Sequence, residues 1–305
     1  MIQVQKYLIA FVLLGLLACA AQAAPLRVTV LIAEEGAAYR EFALTFAAKA
    51  TRQSLPLNIV QATSLPPESD LIVAVGLKSA ALALNSDAPV LCVLVSKAGF
   101  DKLLRELPAR RDQNTVSAIY LDQPSRRQTD LVAAALPEAK KIGLLFATLP
   151  PDIASLRKAV AETRMVLVEQ QLGSAESLHR DLHALLQRSD VLLATPDAQI
   201  YNAMTIRNIL LETYRSRIPV VGFSASYVKA GALCAVFSTP EQIAGQAAYL
   251  TQQFAATAKL PAAQYPTEFE VLVNQQVSHS LEIKIKENAE LVKQIKSAAM
   301  AEGDN

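Results

Sequence analysis

The sequence predicts an α/β protein of two similar lobes, each a parallel sheet covered by helices on both faces, and three observations carry that expectation. From Leu26 onward, short apolar runs alternate with amphipathic stretches almost without interruption, the pattern of strands and crossover helices in a mostly parallel sheet. The runs are continuously apolar rather than alternating, as strands buried on both faces must be. The cycle passes through about five strands and then begins again, and a chain of this length outgrows a single core, so it divides.

In the first cycle the strands read "LRVTVLIA" (26–33), "LNIVQA" (57–62), "DLIVAVG" (70–76), "PVLCVLVS" (89–96) and "NTVSAIYL" (114–121), with amphipathic stretches such as "AYREFALTFAAKATRQS" between them. The second cycle reads "KKIGLLFA" (140–147), "MVLVEQQL" (165–172), "VLLATP" (191–196), "PVVGFS" (219–224) and "ALCAVFS" (232–238), alternating with helices at 124–136, 152–163, 174–189 and 198–217. The tail from "PTEFEVLVNQQVSHSLEI" adds a strand, a short helix and a charged terminal helix that is free to cross back between the lobes. No low-complexity linker separates the halves, so several short crossovers make a better hinge than a single tether.

Residues 1–23 have the layout of a secretory signal: one early cation, Lys6, an apolar run from Tyr7 to Leu17, then small residues. Cleavage after Ala23 fits the small-residue rule through "AQA", while "LLAC" offers the alternative of a lipoprotein lipidated at Cys19. An uncleaved anchor fits less well, because the apolar core falls short of the ~20 residues that span a bilayer. The expected location is the periplasm. Removing the signal takes away Lys6 and no acid, leaving 28 basic and 28 acidic side chains, a balance that argues against a nucleic-acid partner. Cys92 and Cys234 each sit inside a strand-like run and read as buried, unpaired thiols.

In open α/β sheets ligands sit beyond the carboxyl ends of the strands, where helix N-termini present free N–H groups. The loops there are "AEEGAAY", "GLKSA", "SKAGF", "ATLPPD", "ATPDAQ" and "SASY". They are rich in small hydroxyls: Ser79, Ser96, Thr148, Thr195, Ser224 and Ser226 suit a small polar ligand. Asp197 is the acid placed to take a ligand cation such as an ammonium, or else to cap the helix that follows it. Tyr39, Phe100, Tyr201 and Tyr227 lie near the same loops and can either wall an aromatic slot or cover the core. Lys78 and Lys97 follow strand ends of the first lobe and either greet an anionic ligand or, as is common for lysines at helix starts, decorate the surface.

Enzyme signatures are missing. There is no G-x-S-x-G elbow, no Walker lysine loop and no G-x-G-x-x-G fingerprint, and 10 glycines in the whole chain leave little for phosphate-cradling loops. No cofactor and no catalytic residue is expected. His179 and His183, four apart in "HRDLH", share a helix face but have no third metal ligand nearby in sequence, and the lone His279 carries no signal either.

From residue 191 the chain resembles a known family. "SDVLLATPDAQIYNAMTIRNIL", "IPVVGFSASYVKAGALCAVF" and "EFEVLVNQQVSHSLEI", with "DLIVAVGLKSAALAL" and "LPEAKKIGLLFATLPP" earlier, are similar to ABC-transporter substrate-binding proteins of the tryptophan/tyrosine type. The resemblance extends over about residues 26–290 and implies a type I periplasmic-binding-protein fold: two Rossmann-like lobes with parallel sheets joined by a multi-crossover hinge. Lobe 1 is then expected over 26–119 with about 239–264, lobe 2 over 120–238 with about 265–290, and a C-terminal helix and tail over 291–305. The resemblance further implies a monomeric receptor that closes on a small, amino-acid-like molecule and delivers it to an inner-membrane ABC permease. It places Asp197 on a family aspartate, Ser79 on the first lobe's hydroxyl turn and Ser224–Ser226 on a "GSD"-like turn. Ser79, Ser96, Thr148, Asp197, Tyr201, Ser224 and Ser226 are accordingly the expected ligand contacts. Leu77 where the family has threonine, "SKAGF" where it has an aspartate-proline pair and "STPEQIAG" where it has a tyrosine turn are departures that separate the fold from the family's ligand. The altered pocket leaves open a second role, an envelope sensor or accessory protein on the same fold.

Overall fold

Two sheets organise the chain in the computed structural model, which describes residues 25–51, 57–65, 68–108 and 114–303. The first contains β1 (Leu26–Leu31), β2 (Leu57–Ala62), β3 (Leu71–Val75), β4 (Val90–Val95) and β5 (Val116–Tyr120), all parallel, in the order β2-β1-β3-β4-β5. Its helices are α1 (Ala37–Thr51), α2 (Leu77–Ala83) and α3 (Lys97–Glu106). The chain crosses at β5 into α4 (Ser125–Ala135) and a second sheet of β6 (Lys141–Phe146), β7 (Val166–Gln171), β8 (Val191–Leu193), β9 (Val220–Gly222) and β10 (Cys234–Phe237). Helices α5 (Ile153–Ala161), α6 (Leu178–Leu186), α7 (Ile206–Arg215) and α8 (Ala225–Ala230) connect them. The order is β11-β10-β9-β8-β6-β7, so each lobe repeats the same 2-1-3-4-5 winding, and β11 (Glu270–Val273) is added antiparallel at the edge.

The parallel strands form where the sequence is continuously apolar. β3, β4 and β5 are buried along their whole length, whereas the edge strand β2 is partly exposed and correspondingly mixed in composition. Between the crossovers the chain returns to lobe 1 as α9 (Pro240–Thr257), started by a capping box in which Thr239 and Gln242 satisfy each other's backbone N–H groups. Its Ile243, Ala244, Ala247 and Ala248 share one core with Phe42, Phe46 and Ala50 of α1. The chain ends in α10 (Gln275–Ser280) and α11 (Asn288–Gly303). Leu291 and Ile295 of α11 enter the core of lobe 2 beside Leu131 and Leu136, so the terminal helix lies on the second lobe and does not cross between the two.

Two expected helices are shorter in the structure. The stretch 198–217 becomes helical only at Ile206, because polar side chains bind their local backbone first: Asn202 Oδ1 accepts the N–H groups of Met204 and Thr205, and the Thr205 hydroxyl donates to the Ile200 carbonyl. The stretch 174–189 opens as a 3-10 turn, Ala175–Ser177, before α6 begins. There the Asp181 carboxylate accepts from the Gly173 N–H at 2.9 Å and the Ser177 hydroxyl at 2.5 Å.

Three crossovers join the lobes: Leu121–Pro124, Ser238–Thr239 and Tyr265–Glu268. The buried Gln123 amide donates to the Ser238 hydroxyl at 3.0 Å, and that hydroxyl donates to the Glu268 carbonyl at 2.6 Å, so one chain of hydrogen bonds threads all three. Arg127 closes the set, donating to Gln123 Oε1 at 2.6 Å and to the Pro266 carbonyl at 3.0 Å while its guanidinium stacks 4.3 Å over the Phe269 ring. Burial pulls the Arg127 pKa down to about 10, still far above neutrality.

Cys92 and Cys234 are both buried and not disulfide-bonded, and burial pushes the Cys234 thiol up to about 12. No helix among the described residues is long and apolar enough to cross a membrane. The signal segment, with its Ala23 and Cys19 alternatives, lies outside the described residues.

Candidate functional site

The strand order reverses between β1 and β3 in lobe 1 and between β6 and β8 in lobe 2, and at such switch points the loops part to leave a crevice. A cleft of about 550 Å³ lies there, with both lobes contributing. Leu77, Ser96, Ala98, Gly99, Lys102 and Arg105 line it from lobe 1; Thr148–Asp152 and Thr195–Gln199 line it from lobe 2; Asp122 and Gln128 lie where the first crossover enters. A wider hollow of about 750 Å³ sits at the opposite, amino ends of the lobe 1 strands, beside Arg27, Asp70 and Pro89. It lacks the loop ends and helix starts that make the carboxyl ends a binding face.

Of the expected ligand contacts, the structure brings Ser96, Thr148 and Asp197 together on the cleft wall. Ser96 caps α3, its hydroxyl oxygen accepting the Gly99 N–H at 3.1 Å, which leaves the hydroxyl proton free to donate. Thr148 is exposed at the end of β6. Asp197 Oδ2 accepts the N–H of Ala147 at 2.9 Å and Oδ1 that of Gln199 at 3.0 Å. The carboxylate therefore caps a turn rather than a long helix, and joins that turn to the end of β6.

The other four lie off the cleft wall. Ser79 is fully buried and its hydroxyl accepts the Ala33 N–H at 2.9 Å. Ser224 caps α8 by accepting the Tyr227 N–H at 3.4 Å, and Ser226 is exposed on that helix. Tyr201 packs edge-on against Phe223 and Tyr227 with its hydroxyl buried and unpartnered, and burial moves its ionisation well above the usual phenol range. Lys78 is exposed, and Lys97 is held by Asp101 at 2.6 Å.

Two cleft acids went unmarked in the sequence reading. Asp122 follows β5, and its Oδ2 accepts the Lys97 main-chain N–H at 2.6 Å. Burial outweighs that hydrogen bond, and with the negative charge of Asp152 nearby it lifts the Asp122 carboxyl to about 6. Asp152 stands at the N-cap position of α5 yet makes no capping bond; its Oδ2 instead accepts from the Ser125 and Tyr265 hydroxyls, each at 3.3 Å. Asp152 lies inside the "ATLPPD" loop, so strand-end position could have found it. Asp122 needed the loop after β5 to be counted with the rest.

Among the described residues no group of three or more His, Cys, Asp or Glu side chains is arranged to hold a metal. His179 and His183 instead flank Glu212 of α7, with His183 Nδ1 at 2.9 Å from its carboxylate. What the cleft offers is a paired surface of hydroxyls, carboxylates and apolar lips (Leu77, Leu149, Pro150, Pro196), suited to enclosing a small polar molecule between two bodies.

Three solved structures share the fold. A ligand-free, open substrate-binding protein with adhesive properties from Clostridium difficile is 17% identical at a TM-score of 0.66, covering 86% of this chain and 96% of its own. An ABC domain in complex with L-Trp from Streptococcus pneumonia is 15% identical at 0.63, covering 89% and 98%. A conserved domain protein from Vibrio cholerae is 19% identical at 0.61, covering 88% and 98%. A search of curated proteins gave no match. The model of the family described as "ABC transporter substrate binding protein" matches residues 50–296, which take in the first sheet from β2 onward, the whole second sheet and every residue of the cleft wall. With two Rossmann-like lobes of type I periplasmic-binding-protein architecture and a cleft at their facing strand ends, the chain belongs to the ABC transporter substrate-binding protein family.

Proposed function

We propose that the protein is the periplasmic solute-binding component of an ABC importer, taking a small polar, amino-acid-like ligand in the cleft and presenting the closed form to an inner-membrane permease. The observation that carries this reading is the cleft of about 550 Å³ whose wall is shared by Ser96 of one lobe and Thr148 and Asp197 of the other. A ligand that contacts both lobes binds the closed state better than the open one, and that difference in affinity drives closure. Ser96 and Thr148 supply neutral hydrogen bonds, Asp197 shapes the lobe 2 loop and offers its outer lone pairs, and Ser79, Tyr201 and Ser224 lie behind the loops.

A thermal-shift screen of the purified protein against amino acids, nucleosides, sugars and organic acids tests the reading. Stabilisation by one class, lost in a Thr148→Arg variant that fills the cleft, is the expected result. No stabilisation by any of them would sink it.

A further inference from the structure

The three carboxylates of the cleft are not equivalent. Asp197 has one backbone N–H on each oxygen, so its charge is largely spent on the loop it holds. Asp122 and Asp152 each have Oδ2 held by fixed donors, the Lys97 N–H on one side and the Ser125 and Tyr265 hydroxyls on the other. These supports come from different bodies: Lys97 begins α3 of lobe 1, Ser125 begins α4 of lobe 2, and Tyr265 lies on the third crossover.

Among the described residues neither acid shows an ion pair, although the Lys97 charge is felt by Asp122. That lysine puts its Nζ on Asp101 at 2.6 Å and over the Tyr120 ring at 5.6 Å. Lys102 and Arg105 also line the cleft, but both are exposed on α3. The charged groups felt by Asp122 are Lys97, itself paired with Asp101, and Asp152, and the phenols of Tyr120 and Tyr265 lie close to the same carboxylates. A protein seldom keeps a desolvated carboxylate beside a second one without a cation to share. Asp152 adds a separate sign: at a helix start where an aspartate ordinarily caps, its carboxylate is turned off the helix and held by two hydroxyls beside the cavity.

We propose that the hinge end of the cleft binds the cationic group of the ligand, an ammonium or guanidinium, between Asp122 and Asp152, so that the transported class is a small amine, guanidine or basic amino acid. The inference rests on the cleft being the ligand site. It makes Asp122 and Asp152 specificity-determining residues: two like charges, one on the first crossover and one at the start of α5, repel unless a cation lies between them. The exposed Lys102 and Arg105 at the rim are placed to meet a carboxylate on the same ligand.

The test uses matched probes measured by calorimetry on the purified protein: lysine against norleucine, arginine against citrulline, with agmatine, putrescine and glutamate alongside. The member with the cationic side chain is expected to bind at least about tenfold more tightly than its isostere, which keeps the α-ammonium but lacks the side-chain charge, the scale of one charged hydrogen bond. Asp122→Asn and Asp152→Asn should each remove that preference, with the fold checked by circular dichroism. Equal binding of the two members of a pair, or a preference that survives both substitutions, overturns the cation assignment. If norleucine, citrulline or glutamate is preferred and Thr148→Arg abolishes its binding, the cleft stands and the cationic class falls. If no probe binds, the cationic class falls while the cleft is decided by the wider thermal-shift screen; binding that persists in Thr148→Arg sinks both.

Discussion

Ser79 and Asp197 occupy equivalent places in the two lobes. Each stands four residues past the end of its strand, β3 or β8, and each accepts a main-chain N–H just past the end of the neighbouring strand: Ala33 beyond β1 for Ser79, Ala147 beyond β6 for Asp197, both at 2.9 Å. The two lobes thus close their switch points with the same device, a side-chain acceptor that draws in a loop amide with no ladder partner. One lobe uses a neutral hydroxyl buried beneath the loop, the other a carboxylate that also reaches the cleft wall.

Asp197→Ala is expected to lower stability by about 1–3 kcal/mol without any ligand, because it strands the Ala147 amide as well as the Gln199 amide. Asp197→Asn keeps an acceptor for one of them and should cost less. Urea denaturation of the ligand-free protein reads both; a cost for Asp197→Ala no larger than that for Asp197→Asn would show the bond to Ala147 to be dispensable.

Asp122 sets a pH dependence with a definite sign. Its carboxyl is raised to about 6 in the fold, above the ordinary value of 3.8, so the folded state holds the proton more tightly than the unfolded chain does. Its ionisation costs the fold stability progressively as pH rises from about 4 to about 6, and the cost is complete above that window. Asp122→Asn should therefore be more stable than the native protein at pH 7, and the advantage should shrink as pH falls through this range. Comparing melting temperatures of the two proteins at each pH cancels the opposing contribution of acids such as Asp70 and Asp181, whose pKa values are lowered in the fold.

The Tyr201 hydroxyl is buried with no partner. Removing an unsatisfied buried hydroxyl spares its desolvation cost, so Tyr201→Phe should be neutral or stabilising by up to about 1 kcal/mol. A loss of stability would mean that the hydroxyl has a partner, and an accompanying loss of ligand-induced stabilisation would identify that partner as the ligand.

Gln123→Leu cuts the hydrogen-bond chain that threads the three crossovers and frees Arg127 from one of its acceptors. The expected outcome is a broader distribution of interlobe distances in the free protein, read by spin labels on cysteines introduced at Leu77 and Leu149, the exposed lips of the cleft. The native Cys92 and Cys234 are buried, which favours labelling at the introduced sites. An unchanged distribution would assign the rigidity of the hinge to packing alone.

Gly76 sits at φ +82°, and a Cβ built there would lie 2.9 Å from the Tyr39 ring. Gly76→Ala combines left-handed strain with a clash and should cost more than about 1 kcal/mol in thermal or urea unfolding.

The strands were legible because burial on both faces leaves a continuous apolar signature, and β1 to β10 lie where those runs do. Their carboxyl ends were read too long: "VLLATP" and "PVVGFS" yield only Val191–Leu193 and Val220–Gly222, since the remaining residues belong to the cleft loops and make no ladder. Composition could not reveal that Asn202 and Thr205 divert 198–205 into turns, and that diversion is what sends Tyr201 inward rather than along a helix face. The loop positions of Ser96, Thr148 and Asp197 followed from strand ends. Side-chain direction did not, which is why Ser79 was expected on the cleft wall and lies beneath it. Asp152 looks in sequence like any helix cap, and only the hydroxyls of Ser125 and Tyr265, far apart along the chain, distinguish it.

The packing of α9 on α1 has a bearing on how the protein is made. Phe42 and Phe46 are fully buried, and their cover includes Ile243, Ala244 and Ala247, contributed about two hundred residues later, after the whole parallel part of the second sheet. Lobe 1 cannot complete its core until nearly all of lobe 2 has emerged. The first half of the chain must wait with an apolar helix face uncovered, so folding is slow, long-range and late.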